Sequence, residues 1–337
     1  MNKEMLRSRA PPALSHDSPT WPAELPCKPS FMVIGAPKCG STSLFHYLAE
    51  HPQVQQPGVK ELCYFSDFKR HLQRYRATPA MSWEQYTAGF AGAESLRLAK
   101  ARMLPGRRRA RHLLFGGGLR RRAAAHHQAG VGSCEVEGKQ AFEGCPFYLG
   151  EVRAPVRLRT TFPGLRVVAV LRNPWARTLS AFHDYIRNGR ISESAHNSEG
   201  MERLIVQKVQ LVRSGQRTME DFDVRILTSG VYIHGLRAWG RHWPASDLLV
   251  VRSEDMFDDA AAVLSRLESF LRLPHFVLPA ERIRVHNRNA MLRSPPSRKL
   301  NETLDAFFAP YNEELYAWAA GRGAPFARWE NATSLML

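Results

Sequence analysis

A short turn with two glycines and a lysine is the first feature of this sequence that could bind a charged ligand. The turn, GAPKCG at residues 35–40, follows the apolar run FMVI and leads into an amphipathic stretch that begins at Ser41. A strand, a glycine-containing turn and a helix in this order direct backbone N–H groups and the positive end of the helix at one point, which predicts an anion site. Four residues separate Gly35 from Gly40, as in a nucleotide-binding phosphate loop, but that loop has its lysine directly after the second glycine. Ser41 has that position here, and Lys38 lies inside the turn, from where its long side chain would reach a transferred or bridging oxygen from a different side.

A second group of polar residues follows the most apolar run of the sequence. Residues 165–171, LRVVAVL, are almost continuously apolar, which predicts a strand of a parallel sheet that is buried on both faces. Asn173 fits the N-cap of the helix that follows, and Pro174 fits its first position. The strand therefore ends at Arg172, and the helix carries Ser180 two turns along. Ligands of open α/β sheets bind beyond the carboxyl ends of strands, so an arginine and a hydroxyl there suit a phosphate; the alternative is an arginine that caps local carbonyl groups.

The elements that must position these residues alternate between strand and helix along the chain. Strands are predicted at 31–35, 165–171 and 247–256. Further helices are predicted at 82–96, 200–213, 229–244, 258–272 and 297–320. Strands that alternate with helices predict an α/β fold, a P-loop-like three-layer domain whose central, mostly parallel sheet is flanked by helices.

Composition divides the chain into three parts. Residues 1–29 are rich in proline and are predicted to be a flexible arm. A single domain is predicted from residue 30 to residue 330, and within it residues 96–130 are a low-complexity insert with a glycine triplet and two arginine triplets. The chain has 47 Lys and Arg against 31 Asp and Glu, a net charge of +16, which favours acidic partners. The insert would either bind a polyanion or form a solvated loop.

The apolar runs and the cysteines predict neither a membrane span nor a metal site. No apolar run reaches the roughly 18 residues that are needed to cross a bilayer, and the first thirty residues lack the apolar centre of a signal peptide. The five cysteines form no Cys-x-x-Cys pair and have no metal-ligand spacing with histidine, so we expect no metal ion. Their odd number leaves at least one thiol free, and Cys134 and Cys145 either form a disulfide or are two buried thiols.

Both polar segments, taken with two later ones, resemble the sulfotransferases. GAPKCGSTSLFHYLAEHP is similar to the loop that binds the 5′-phosphosulfate in that family, and VVAVLRNPWARTLSAF is similar to its 3′-phosphate-binding strand and helix. Residues 230–256 fit the family in order and separation. The closing segment, FFAPYNEELYAW with FARWEN, resembles the end of the Golgi-type carbohydrate sulfotransferases that act on heparan sulfate and other glycosaminoglycans. The resemblance covers roughly residues 28–330, without the insert.

This resemblance implies the sulfuryl donor 3′-phosphoadenosine 5′-phosphosulfate (PAPS) and the residues that hold it. The 5′-phosphosulfate would be bound by Lys38, Cys39, Gly40, Ser41, Thr42 and Ser43, and the 3′-phosphate by Arg172, Ser180 and Arg288. Relatives often carry a Lys-Gly-Arg loop around the 3′-phosphate, and Arg288 is the residue of this sequence that could take its part. No metal would be required, because the departing 3′,5′-bisphosphate would meet fixed cations.

The resemblance also implies the group that takes the proton of the acceptor. VKELCYFSD is similar to a segment of heparan-type sulfotransferases in which a glutamate follows a lysine, so Glu61 is the candidate base. The alternative is a surface carboxylate paired with Lys60 or Lys69. FEGCPFYL departs from the Glu-Lys-Thr/Ser-Pro-x-Tyr pattern of the family, because Gly144 stands in the place of the lysine. Lys139 or an arginine of the insert would have to supply that cation.

Taken together, these residues predict a sulfotransferase that moves the sulfuryl group of PAPS to an acceptor hydroxyl by in-line displacement. Glu61 would be the base, and Lys38 would stabilise the charge that develops on the bridging oxygen. The segments most like those of carbohydrate sulfotransferases favour an acidic glycan as the partner, while another glycan, a small alcohol and a peptide tyrosine also stay open as acceptors. Nucleic acid is not expected as a partner, because only the net charge favours it. Two other functions fit parts of the sequence: a P-loop kinase or other NTP-using enzyme, and a non-catalytic module that binds polyanions.

The family resemblance also bears on the location of the protein. It implies a Golgi enzyme that is lumenal and membrane-associated. Glycosylation sequons begin at Asn301 and Asn331, which fits a lumenal glycoprotein. A cytoplasmic location is the alternative, because the sequence contains no run that predicts a membrane anchor.

Overall fold

A five-stranded sheet in which all neighbouring strands are parallel forms the centre of the protein. The computed structural model describes residues 19–23, 28–58, 60–67, 81–90, 139–191, 197–284 and 296–330. The strands are β1 (Pro29–Gly35), β2 (Val54–Gln55), β3 (Gln140–Gly144), β4 (Arg166–Leu171) and β5 (Leu248–Arg252). Their order in the sheet is β2-β3-β1-β4-β5. The predicted α/β fold class is thereby confirmed.

Helices flank this sheet. They are α1 (Ser41–Glu50), α2 (Trp83–Ala88), α3 (Ala154–Thr161), α4 (Pro174–Arg187), α5 (Ser198–Arg213), α6 (Arg225–Thr228), α7 (Tyr232–Gly240), α8 (Ser253–Asp258), α9 (Ala260–Leu271) and α10 (Arg298–Gly321). Within the described part of the chain, no helix combines the length and the hydropathy that crossing a bilayer requires.

Three predicted elements differ from the structure by more than two residues at an end. The helix predicted at 229–244 is α7, Tyr232–Gly240. The strand predicted at 247–256 ends at Arg252 and is followed directly by α8. The apolar run stops there, and the two acidic residues Glu254 and Asp255 favour the first turn of a helix because they face the positive end of its dipole. The helix predicted at 82–96 ends at Ala88, and residues 91–96 lie outside the described part of the chain.

The central strands are buried on both faces, as their composition predicts. Every residue from Val167 to Leu171 in β4 is fully buried, and so are the middle residues of β1. Phe31 of β1 stacks on Phe142 of β3 with ring centroids 5.0 Å apart. In the register of the sheet, Val33 of β1 pairs with residues of both neighbouring strands. The carboxyl ends of β3, β1 and β4 therefore lie side by side.

The start of α4 matches the prediction. The Asn173 side-chain oxygen accepts a hydrogen bond from the Trp175 N–H (3.0 Å), and Pro174 is the first helical residue. This cap fixes the direction of α4 as the chain leaves β4, so that the helix begins two residues after Arg172.

One part of the predicted N-terminal arm packs on the domain. Within residues 19–23, the Trp21 ring lies 5.9 Å from the Trp83 ring and 5.8 Å from the Phe162 ring, centroid to centroid. The rest of the arm before residue 28 and the insert at 96–130 lie outside the described residues. The division of the chain into an arm, a domain and an insert therefore stays a prediction.

The sequon at Asn301 does not support a glycoprotein. Asn301 lies in α10 with 0% of its surface exposed, and its side-chain oxygen accepts a hydrogen bond from the Trp175 indole N–H (2.8 Å). A glycan on this amide would have to occupy the core. The second sequon, at Asn331, lies outside the described residues.

Replacing Asn173 with alanine is expected to destabilise the protein by about 1 kcal/mol, because α4 loses its N-cap. Urea denaturation followed by circular dichroism measures the change in unfolding free energy. Asn173→Ser keeps a capping oxygen and is the matched control. An alanine variant that is no less stable than the serine variant would contradict the capping role.

Candidate active site

The loop after β1, residues 36–40, lies at the carboxyl edge of the sheet between β3 and β4. The Ala36 N–H donates to the Val170 carbonyl of β4 (2.6 Å), and the Cys145 N–H beyond β3 donates to the Val33 carbonyl of β1 (3.0 Å). The sheet order reverses at β1, and the crevice at such a point is where α/β folds bind ligands. The predicted anion loop is thus in the middle of this edge.

The backbone of the loop turns sharply before α1. Lys38 and Gly40 both have left-handed conformations, with φ of 70° and 84°. A Cβ atom at Gly40 would also lie 2.8 Å from the Met256 methyl carbon and 3.0 Å from the Phe257 ring, both in α8. Position 40 therefore requires glycine. Because α1 begins at Ser41, the positive end of its dipole faces the loop.

The Cys39 side chain contacts the protein interior. It is fully buried, and burial raises the pKa of its thiol. Its sulfur lies 3.4 Å from the Tyr232 hydroxyl, which in turn donates to the Arg172 carbonyl (2.8 Å). These contacts join the loop to the end of β4. The Cys39 N–H donates to the Ala36 carbonyl (3.3 Å).

The Lys38 ammonium group lies against α4. Its Nζ is 3.2 Å from Oδ1 of Asp184, and the two side chains are 21% and 22% exposed. Burial lowers the pKa of Lys38, and the charge of Asp184 opposes that shift. Ser180 precedes Asp184 by one helical turn. Asp184 is not among the site residues predicted from the sequence.

Two arginines add positive charge to the same edge. Arg172 is half-buried at the end of β4, and no hydrogen bond or ion pair from its guanidinium to another described residue is present. Arg177 of α4 is 2% exposed and donates to the carbonyl groups of Pro37 (3.2 Å) and Ile226 (2.6 Å). Arg177 was not predicted from the sequence, although its position on the buried face of an amphipathic helix is a signal for it. Arg288 lies outside the described residues.

A buried carboxyl group lies at the end of β3. Glu143 is 0% exposed and accepts hydrogen bonds from the Cys63 N–H (2.6 Å) and from the hydroxyls of Tyr86 (2.9 Å) and Tyr148 (3.1 Å). Burial raises the pKa of Glu143 to about 7, and these hydrogen bonds limit the rise. Glu143 was not predicted as a site residue. The signal for it is a glutamate inside a short apolar strand, where a carboxyl group needs several donors.

The segment that carries Glu61 is fixed to β3 and to the turn after it. Three hydrogen bonds hold it: Cys63 N–H to Glu143, Phe65 N–H to the Tyr148 hydroxyl (3.2 Å), and the Ser66 hydroxyl to Glu151 (2.8 Å). Glu61 itself has a left-handed conformation, with φ of 63°. Its carboxylate lies 2.5 Å from Nζ of Lys60, so the ion pair considered in the sequence is present. Its role as a base stays a prediction.

A disulfide also joins this segment to β3. Cys63 and Cys145 are bonded, with Cα atoms 5.3 Å apart. The bridge between Cys134 and Cys145 that the sequence left open is therefore wrong, because the hydrogen bond of Cys63 to Glu143 brings the Cys63 thiol beside Cys145. Cys134 lies outside the described residues, and Cys39 is a free thiol.

Gly144 stands where relatives have a lysine, and Lys60 lies near the same aromatic ring as Gly144. A Cβ atom at Gly144 would lie 3.1 Å from the Phe45 ring, and Nζ of Lys60 lies 5.8 Å from the centroid of the same ring. Lys139 directly precedes β3 and is therefore at the opposite edge of the sheet. The suggestion that Lys139 replaces the lysine of the family is thus wrong.

A cavity of about 410 Å³ lies between the start of α4, α10 and the C-terminal segment. Its lining includes four aromatic and four charged residues: Trp175, Phe308, Tyr316, Trp329, Asp305, Glu313, Arg328 and Glu330. The lining does not include the loop at 36–40. Because its carboxylates outnumber its single arginine, this cavity does not suit a polyanionic ligand.

The family model described as the sulfotransferase family matches residues 29–277. A solved structure, the sulfotransferase from Alicyclobacillus acidocaldarius, is similar with a TM-score of 0.54 and 20% identity, covering 87% of this chain and 96% of that one. At this identity, the similarity shows the fold.

Three relatives match the chain over different fractions of its length. The membrane-associated sulfotransferase kil1 of Dictyostelium discoideum is 22% identical over 87% of this chain and 65% of its own length. The bifunctional heparan sulfate N-deacetylase/N-sulfotransferase 1 of Caenorhabditis elegans is 21% identical over 74% of this chain and 22% of its own length. The heparan sulfate glucosamine 3-O-sulfotransferase 3A1 of Mus musculus is 25% identical over 42% of this chain and 33% of its own length. The chain thus spans less than two thirds of each of these proteins.

The stability of the protein is expected to depend on pH through Glu143. Its pKa in the folded state, about 7, is above the ordinary value of 4.5, so the folded state binds this proton more tightly than the unfolded state. The resulting stabilisation is complete below the ordinary pKa and is lost as the pH rises to about 7, a change on the order of 3 kcal/mol in unfolding free energy. Urea denaturation at a series of pH values measures it.

Glu143→Gln removes the titrating group and is expected to abolish this component of the pH dependence. The exposed Glu199 offers a matched control, Glu199→Gln, which should keep it. If the wild-type protein and Glu143→Gln lose stability equally between pH 5 and pH 8, Glu143 does not titrate as described.

Reduction of the disulfide is expected to loosen the segment that carries Glu61. The bridge closes a loop of 82 residues, and opening it costs about 4 kcal/mol of stability. Thermal unfolding with and without a reductant measures the loss, and hydrogen exchange measures protection at residues 60–66. A double variant, Cys63→Ala with Cys145→Ala, should not respond to the reductant. Unchanged exchange at 60–66 in the reduced protein would show that the hydrogen bonds alone hold this segment.

Proposed function

Because this chain belongs to the sulfotransferase family, we propose that it transfers the sulfuryl group of PAPS to a hydroxyl of an acidic glycan. The observation that carries this proposal is the set of three cations at one edge of the sheet: Lys38 in the loop, Arg172 after β4, and Arg177 beneath the loop. PAPS is anionic at its phosphosulfate and at its 3′-phosphate, so it needs fixed positive charge at two separate points.

The phosphosulfate is held by the loop and the start of α1. Its contacts are the Lys38 ammonium group and the backbone and hydroxyl groups of Gly40, Ser41, Thr42 and Ser43. The left-handed backbone at Gly40 and the dipole of α1 support this role. Arg177 adds charge from below without reaching the donor, because it is 2% exposed and its Nε and Nη1 donate to carbonyl oxygens.

The 3′-phosphate is held by Arg172 and Ser180. The half-buried Arg172 guanidinium has no carboxylate partner among the described residues, and a phosphate would satisfy its paired N–H donors. Arg288 remains a proposed third contact. The hydrogen bond from Tyr232 to the Arg172 carbonyl supports this role by fixing the backbone there.

The transfer itself needs a base and a cation at the leaving oxygen. The acceptor oxygen forms a bond to sulfur while the bond from sulfur to the bridging oxygen breaks, and the electron pair of that bond stays on the phosphate. Lys38 stabilises this charge. Glu61 takes the proton of the acceptor hydroxyl, and the attachment of its segment to β3, the strand next to β1, supports this role.

The acceptor is proposed to be an acidic glycan for two reasons. Two of the relatives have names that contain heparan sulfate, an acidic polysaccharide. The chain has a net charge of +16, which would attract such a polymer. Lys60, next to Glu61 and near the Phe45 ring, is a candidate contact for an acidic group of the acceptor.

The disulfide supports a location in the Golgi lumen. Disulfides persist in the oxidising compartments of the secretory pathway and are rare in the cytosol. The similarity to a membrane-associated sulfotransferase is consistent with this location. A cytoplasmic enzyme would keep Cys63 and Cys145 as thiols.

Incubation with sulfate-labelled PAPS and a panel of acceptors tests the function. We expect label in heparan sulfate, and less in a neutral glycan, a simple alcohol or a tyrosine peptide. Glu61→Gln should lower kcat by about 100-fold or more while binding PAPS normally, because it removes only the base. Lys38→Ala should lower both PAPS binding and kcat. Glu199→Gln is the control for loss of a carboxylate.

Each outcome separates the possible functions. Failure of the wild-type protein to bind PAPS would overturn the proposed function, and metal-dependent turnover of ATP would replace it with an NTP-using enzyme. PAPS binding without transfer to any acceptor would indicate a binding module. Equal kcat in Glu61→Gln and the wild-type protein would remove Glu61 as the base and leave the donor site intact.

A further inference from the structure

The carboxylate of Asp184 holds two cations at once. Its Oδ1 is 3.2 Å from Nζ of Lys38 and 2.6 Å from a guanidinium nitrogen of Arg187. Lys38 comes from the loop after β1, whereas Asp184 and Arg187 lie near the end of α4. The ion pair therefore joins the loop that receives the donor to the helix that carries Ser180.

We propose that Asp184 is the resting counter-ion of Lys38, and that the lysine exchanges this carboxylate for the phosphosulfate of the donor when PAPS binds. The inference rests on the proposed function, because it assigns the donor to the Lys38 loop. Asp184 is a positioning residue in this scheme. It acts on the donor only through the lysine that it holds.

The surroundings of Lys38 explain why it needs such a partner. With about a fifth of the side chain exposed, the ammonium group has lost much of its hydration, and burial lowers the pKa of Lys38. Arg177 and Arg187 repel it further. Asp184 is the group on α4 that favours the charged form, so it keeps Lys38 protonated until an anionic donor arrives.

The exchange requires little movement. The loop backbone is fixed by the contacts of Ala36 and Pro37, so only the flexible stem of Lys38 has to turn. Ser180 lies one turn before Asp184 and therefore on the same face of α4. The resting position of the ammonium group is thus beside a residue that is proposed to bind the donor.

Arg187 makes the release of Lys38 less costly. Its side chain is 58% exposed and binds the same carboxylate oxygen as the lysine. When Lys38 turns to the donor, Arg187 stays with Asp184, and the carboxylate is not left uncompensated near the bound anions. Removing Asp184 and removing Arg187 should therefore have opposite effects on the donor site.

Chemical labelling of Lys38 without donor tests the resting pair. Brief acetylation followed by mass spectrometry reports how much of each lysine is unprotonated and accessible. At pH 8, Lys38 should be acetylated about threefold faster or more in Asp184→Asn than in the wild-type protein, because the carboxylate that favours the charged lysine is gone. In Arg187→Gln, Lys38 should be acetylated more slowly, because the positive charge that disfavours protonated Lys38 is gone. Lys208, which pairs with Asp223 on another part of the surface, is the internal reference and should be unchanged in both variants.

Binding of adenosine 3′,5′-bisphosphate and of PAPS, measured by calorimetry, tests the exchange. Asp184→Asn should bind both up to about fivefold more tightly, the upper range for a partly exposed ion pair, since no resting pair has to be broken. Arg187→Gln should bind both more weakly. In a Lys38→Met background, Asp184→Asn should no longer tighten binding, because the effect passes through the lysine. Glu199→Gln should match the wild-type protein.

The outcomes distinguish this inference from the proposed function. If Lys38 labels equally fast in the wild-type protein and in Asp184→Asn, the resting pair is absent and the inference is overturned, even where PAPS binds normally. If Lys38 labels faster in Asp184→Asn but neither nucleotide binds the wild-type protein, the proposed function fails. The proposed exchange of Asp184 for the donor then fails with it. Equal tightening by Asp184→Asn with and without Lys38 would also overturn the inference, because the carboxylate would then act on the donor directly.

Discussion

The pairing of β1 with β3 on one side and β4 on the other is the constraint on which the candidate site depends. Each parallel strand ends at the same edge of the sheet, and the register places Gly144 and Val168 beside Val33. The donor loop is therefore flanked by the Arg172 position on one side and by the Glu61 segment on the other. The proposed donor site and the proposed acceptor side are therefore adjacent, because the carboxyl ends of β3, β1 and β4 lie side by side.

Buried polar groups turn this arrangement of strands into a fixed site. Arg177 ties the loop to α4 through the Pro37 carbonyl, and Tyr232 ties β4 to the loop thiol. Glu143 ties the Glu61 segment to β3. Such groups are costly to bury, and each is stable here because it makes two or more hydrogen bonds. The same interactions leave the Lys38 side chain as the part of the loop that can still turn.

Much of the fold, including the loop and the helix that form the candidate site, could be predicted from local sequence patterns. The apolar runs predicted β1 and β4, the Asn-Pro pair predicted the start of α4, and the glycine and lysine spacing predicted the loop. The resemblance of these segments to the sulfotransferases is confirmed by the family match over residues 29–277. These features are readable because each depends on neighbours a few residues apart, whose backbone preferences and burial repeat with the period of a helix or strand.

What the sequence determined by itself was the type of the elements with a clear apolar pattern, such as β1, β4 and α4, and the presence of a loop with glycine and lysine between β1 and α1. The tertiary structure decided which distant residues meet: Cys63 with Cys145, the Cys63 N–H with Glu143, and Lys38 with Asp184. Local periodicity carries no information on these pairs, because they are set by strand order and by the path of the segments between the strands. The sequence therefore left the partner of Cys145 open and missed Asp184 altogether, since a carboxylate on a helix acquires its role only from the loop that is packed against it.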